Sequence, residues 1–181
     1  MNCFDEYRAK LCTAEEAVKL VKSGDWVDYS SNACFPASLD AALALRRDEL
    51  RNVKIRGNLI PGPVAVVECD ESMEHFVYST WHCSGYERRL CDRGRAFFSP
   101  MLFRNLGWYY KNFLTVDVAM ISVSPMDRHG YFSLSCALGA TKEIVEKARI
   151  VILEVNEALP RIHGGEGENV HISQVDRVVE A

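Results

Sequence analysis

The run Arg149-Ile150-Val151-Ile152-Leu153-Glu154-Val155 is apolar and β-branched almost throughout, with no alternation to mark a solvent-facing side. A strand of that kind must be buried on both faces, which is the condition of an interior strand in a parallel sheet covered by helices above and below. Val118-Ala119-Met120-Ile121-Ser122-Val123-Ser124 reads the same way. Neither run approaches the roughly 18–20 residues needed to cross a membrane as a helix.

The rest of the chain alternates strands with short helices. Thr13 is placed to cap a helix, with Glu16 closing a capping box; Ala17, Val18, Leu20 and Val21 form its apolar stripe and Gly24 ends it. Trp26–Tyr29 reads as a strand, Ser30–Pro36 as a loop of small residues, and Ala37–Arg47 as a second helix. Val53–Asn58 alternates as a strand and is broken by Pro61-Gly62-Pro63. Phe76–Thr80 is a further strand, and Ser84–Arg93 a helix stopped by Gly94. After Val118–Ser124 come a turn at Pro125–Gly130, a short strand at Tyr131–Leu134 and a helix over Ala140–Lys147. The order predicts a single α/β domain, residues 1–181, built on a largely parallel sheet flanked by helices. Ligands in such folds bind at the carboxyl ends of strands, which directs attention to Ser30–Pro36, Asn58–Pro63 and Pro125–Gly130.

Composition removes several function classes. The 21 Lys and Arg are scattered among 25 Asp and Glu, for a net charge of −4, so no basic footprint for nucleic acid or anionic lipid is expected. The first residues lack the basic and apolar regions of a secretory signal, and a cytoplasmic address is expected. Seven cysteines without a C-x-x-C pair predict reduced thiols rather than a disulfide framework or a zinc site. His75, His82, His163 and His171 have no ligand spacing, so no metal is expected.

Each candidate site has a plainer alternative. Ser31, Asn32 and Ala33 would let backbone N–H groups approach a ligand, with the next helix N-terminus favouring an anion; a capped strand-to-helix connection explains the same residues. Asp127 and His129 are spaced for a carboxylate–imidazole hydrogen bond, but an Asx turn accounts for them without a nucleophile nearby. Trp81 and His82 read as an acyl or adenine contact or, more simply, as core. His163–Gly167 has the glycines of a phosphate cradle without the spacing of one, and reads as a surface turn. Cys34 reads as a buried, inert thiol.

Several blocks, in order along the chain, resemble the acetyl-CoA hydrolase/transferase family. They are Thr13–Lys19 with Lys22–Asp25; Val116–Ala119 leading to Ser124-Pro125-Met126-Asp127-Arg128-His129-Gly130-Tyr131-Phe132; Ala148 through Glu154-Val155-Asn156-Glu157 to Pro160-Arg161; and Val170–Glu180. His75-Phe76, Ser79–His82 and Ser84–Arg88 are similar to the butyryl-CoA:acetate branch, close to the 4-hydroxybutyrate CoA-transferases. The resemblance implies a CoA-transferase-like α/β domain and an enzyme that moves CoA between short-chain acids such as butyrate and acetate. Coenzyme A is then a substrate, and no other cofactor is expected. In the implied mechanism a glutamate attacks the acyl-CoA thioester, and a glutamyl-CoA thioester then passes CoA to an acceptor carboxylate.

That glutamate and the family's glycine-rich CoA-binding segments belong to a second domain, and the sequence ends at Ala181 on the strand-like Val178-Val179-Glu180. The expectation is therefore an N-terminal domain with no catalytic residue of its own, inactive alone. It would pair with the second domain, and exposed apolar surface would drive homo-oligomer formation. Its contribution would be one wall of the acyl and carboxylate site: Ser31, Asn32, Ala33 and Pro36, then Asn58, then Pro125, Asp127, His129 and Gly130. A hydrolase of the same family and a non-catalytic acyl-CoA-binding or partner subunit are the alternatives.

Overall fold

The computed structural model describes residues 2–165 and 167–181. Glu166 lies outside the described residues, so the turn read at His163–Gly167 is described only in part. Seven strands form one sheet in the order β4-β3-β2-β1-β5-β7-β9, with every pairing parallel. They are β1 (Trp26–Tyr29), β2 (Val53–Gly57), β3 (Phe76–Thr80), β4 (Phe97–Phe98), β5 (Val118–Val123), β7 (Ile150–Val155) and β9 (Arg177–Glu180); β6 (Tyr131–Ser133) and β8 (Asn169–His171) make a separate antiparallel ribbon. All residues of β5 are buried, as are all but the first of β7, so the two apolar runs occupy the sheet interior.

The helices are α1 (Cys3–Lys10), α2 (Ala14–Ala17), α3 (Ala37–Ala44), α4 (Ala65–Glu68), α5 (Gly85–Asp92), α6 (Leu106–Asn112) and α7 (Thr141–Lys147). The capping box at α2 is formed, Thr13 and Glu16 each bonding the other's backbone N–H; the helix is shorter than its apolar stripe and continues as a 3-10 turn over Val18–Leu20. The second predicted helix also stops early, at Ala44 rather than Arg47.

Two cores lie on opposite faces of the sheet. Helices α2 to α5 cover one face with Val18, Leu39, Leu43, Val66 and Leu90 against Val27, Ile55, Tyr78 and Met120. On the other face α6, α7 and the β6–β8 ribbon cover Ile121, Val123, Leu153 and Val178. Alternation along β5 sends Val118 and Met120 to the first core and Ala119 and Ile121 to the second, as a pleated strand requires. From β1 the chain winds outward through β2, β3 and β4, then returns to place β5 on the opposite side of β1. The direction of winding therefore reverses between β1 and β5, and the carboxyl ends of these strands flank the crevice where this fold binds ligands.

Candidate functional site

The loop after β1 is fixed by polar contacts between the two strands at the crevice. Ser30 N donates to Met120 O at 3.3 Å, Ser122 N donates to Ser30 Oγ at 3.2 Å, and Ser30 Oγ donates to Cys34 O. Asn32 turns the chain in the left-handed region, φ 52°, a conformation its short amide tolerates better than most side chains. Asn32 N then donates to Asn58 O at 3.1 Å, so the loops after β1 and β2 are tied together.

Ser31 and Asn58 line a narrow cleft of about 20 Å³ at these strand ends, room for about one water. Asn58 Oδ1 is buried in its wall without a hydrogen-bond partner, which leaves an acceptor for a ligand donor or a water. Trp81, beyond β3, and Tyr110, on α6, also line the cleft, and Trp81 Nε1 donates to Tyr110 Oη at 3.2 Å. Trp81 thus belongs to the second core and to the cleft wall at once.

Behind this wall lies a buried polar cluster. Arg56 donates from Nε and Nη2 to the two carboxylate oxygens of Asp28 at 2.9 and 2.5 Å, and Tyr110 Oη donates to Asp28 Oδ1 at 2.6 Å. Burial works against the charge on Arg56, but the Asp28 carboxylate outweighs it and keeps the guanidinium protonated. The cation lies 4.5 Å from the centre of the Trp26 ring, a favourable cation–π placement. Gly57 follows on β2 because a Cβ there would run into the Tyr78 hydroxyl, which is itself held by Glu87 Oε1 at 2.9 Å.

The remaining candidates do not line this cleft. Pro36 is buried at the start of α3, while Asn32 and Ala33 are exposed. The α3 N-terminus, expected to favour an external anion, already holds an internal one. Glu154 reaches across from β7 and accepts from Leu39 N at 3.0 Å; burial pushes its carboxyl up while the first amides of α3 pull it down.

The turn over Pro125–Gly130 is stabilised from within. Asp127 Oδ1 accepts from the backbone N–H of His129 at 2.8 Å and of Tyr131 at 2.9 Å, which is an Asx turn, and Oδ2 pairs with Arg161 at 2.7 Å. Burial raises the Asp127 carboxyl slightly, but these amides and Arg161 bring it below the usual range. The His129 ring accepts from Arg128 Nε at 3.1 Å and does not bond the Asp127 carboxylate, so of the two readings the Asx turn, not the carboxylate–imidazole pair, is the one formed. Gly130, at φ 88°, leaves no space for a side chain because Cys3 Sγ and His171 Nε2 would lie 2.7 and 2.8 Å from a Cβ. Pro125 is exposed on the same turn. Cys34 is buried, and burial, with Cys136 close by, pushes its thiol up to about 12. Among the described residues no three His, Cys, Asp or Glu side chains are grouped to hold a metal ion, and no helix is long and apolar enough to cross a membrane.

The arrangement resembles known proteins closely enough to decide the family. The profile of the acetyl-CoA hydrolase/transferase N-terminal domain matches residues 1–181. The chain belongs to this family. Within it, the chain is 45% identical over 181 residues to a butyryl-CoA:acetate CoA-transferase of Anaerostipes caccae, covering 99% of this chain and 41% of that protein. A succinyl-CoA:cyclohexane-1-carboxylate CoA transferase of Geobacter metallireducens is 37% identical over 175 residues, which cover 97% of this chain and 39% of its own length. The crystal structure of RipA from Yersinia pestis superposes with a TM-score of 0.89 at 30% identity, over 100% of this chain and 44% of that one. The chain thus spans about two fifths of the length of the family members it matches.

Proposed function

We propose that this chain is the N-terminal domain of an acyl-CoA:carboxylate CoA-transferase that moves CoA between short-chain acids such as butyrate and acetate. The observation that carries the reading is the 45% identity, maintained over 181 residues, to a butyryl-CoA:acetate CoA-transferase. The nucleophile in this reading is a glutamate outside the chain. Its carboxylate attacks the acyl-CoA thioester and expels CoA thiolate, forming an acyl-glutamyl anhydride. The thiolate then attacks the glutamyl carbonyl and releases the first acid, leaving glutamyl-CoA. The acceptor acid reverses these two steps and leaves as its CoA ester, so the kinetics are ping-pong.

The anhydride and the thioester both hydrolyse if water reaches them, and this chain's part is to exclude it. Trp81, Leu106 and Tyr110 supply apolar area at the cleft, while Ser31 and Asn58 offer polar contacts to a carboxylate or thioester oxygen. The cleft as it stands is too small for an acyl group, in keeping with a site completed by a second wall.

Fusing the chain to the C-terminal portion of the Anaerostipes protein and supplying butyryl-CoA tests the reading. Acetyl-CoA should form, at a rate that depends on added acetate. Release of free CoA at a rate indifferent to acetate would show a hydrolase instead.

A further inference from the structure

Both faces of the sheet around β5 and β7 are packed into apolar cores, but only one face of β1 to β3 is. On the other face of β1 to β3, Trp26, Lys54, Arg56 and Ser79 line a solvent-open cavity of about 620 Å³, bordered on its far side by residues between Phe97 and Thr115. That volume lies within the usual range of small-molecule sites and is far larger than a two-carbon acid requires.

Its charge is distinctive. No Asp or Glu lines it, whereas two cations do. Arg56 is 3% exposed and uses Nε and Nη2 on Asp28 and Thr115 O, with the Tyr110 hydroxyl also beside its guanidinium, whose edge lines the cavity. Lys54 donates to Gly24 O at 3.0 Å and sits 5.5 Å from the centre of the Trp26 ring, with no carboxylate paired to it among the described residues. Asp28 offsets one cation from behind, so the cavity wall keeps about one unit of positive charge amid apolar side chains.

We propose that this cavity binds an amphipathic monocarboxylate, a medium-chain or aromatic acid. Its carboxylate meets Lys54 Nζ beside the Arg56 guanidinium, and its apolar body lies against Trp26, Met101 and Phe113. A single residual charge suits a monoanion better than a phosphate dianion, and the apolar walls suit a body of more than a few carbons.

Trp26 and Trp81 border the cavity, so tryptophan emission reports occupancy. Titration of the chain with octanoate should change the emission saturably, while acetate and octylamine, which lack the apolar body or the negative charge, should not. Lys54→Met should weaken octanoate about tenfold, the loss of one charge-assisted hydrogen bond. Ser79→Phe, which fills the cavity from β3, should abolish binding while the thermal transition is retained. If Ser79→Phe does not fold, Lys54→Met on the strand surface carries the test. Octylamine binding as tightly as octanoate, octanoate affinity unchanged by Lys54→Met, or no saturable response from the folded chain would each overturn the proposal. No CoA is present in this assay, so its failure leaves the proposed exchange activity untouched.

Discussion

Asp40 shows how a single buried group sets a measurable property of the first core. It lies on α3, accepts from Tyr29 Oη at 3.0 Å and from Ala65 N at 2.5 Å, and is 2% exposed. Burial pushes its carboxyl up to about 6, against the pull of the Ala65 amide and the Tyr29 hydroxyl. The folded state therefore holds the proton more tightly than the unfolded chain, whose carboxyl titrates near 3.9. An ionised Asp40 costs stability above about pH 6, and that cost is relieved as the pH falls through 6 toward 4. Asp40→Asn keeps the shape and removes the titration. The unfolding free energy of the native chain relative to this variant should rise by about 1 kcal/mol between pH 8 and pH 5 in urea titrations. A difference that stays flat with pH would mean that Asp40 does not titrate in that interval.

At the scale of elements, α3 depends on a partner distant in sequence. Its N-cap, Pro36, makes no side-chain cap bond, and Glu154 of β7 supplies the acceptor in its place. Glu154→Ala should destabilise the chain by about 2 kcal/mol in denaturant unfolding, the upper range for a lost cap. Glu154→Gln, which keeps an acceptor, should recover much of that; equal losses in both variants would remove the capping role. The sequence carried no local sign of this contact, since the residues are 115 apart. What was legible was local or periodic: the apolar runs of β5 and β7, the Thr13/Glu16 capping box, and the strand–helix alternation. Helix α1 went unread because none of its residues is buried and it has no apolar stripe; Asn2 caps it, and it docks through Tyr7, whose Oη donates to Glu180 at 2.7 Å. Helix α6, Leu-Gly-Trp-Tyr-Tyr-Lys-Asn, went unread because its aromatic residues favour strands, and tertiary packing of Leu106 and Tyr110 overrides that preference. The site divided in the same way. Reading loops from strand ends found Ser31 and Asn58, and Trp81, read as either a contact or core, is both; Arg56 and Tyr110 reach the cleft from a strand interior and a helix with no shared motif. Pro125–Gly130 follows β5, yet its polar groups are consumed by the Asx turn and Arg161.

At the scale of the whole molecule, the seven-stranded parallel sheet carries a large exposed apolar surface. Phe97, Phe98, Leu102, Phe103, Trp108 and Phe113 are all exposed, within one short stretch of chain, Phe103 by 70%. Exposed apolar area of this extent marks an interaction surface. Sedimentation should show concentration-dependent self-association of the chain, reduced in Phe103→Ser/Trp108→Ser; a monomer at every concentration would contradict this. In the proposed exchange the cleft, with room for about one water, cannot by itself enclose an acyl-CoA. The most direct measurement is a CoA-exchange assay with butyryl-CoA and acetate, made with the chain alone and again with the C-terminal portion of the Anaerostipes protein supplied in trans or fused. Exchange only in the second case is the predicted result; exchange by the chain alone would place the nucleophile among carboxylates described above as structural, and would contradict the account.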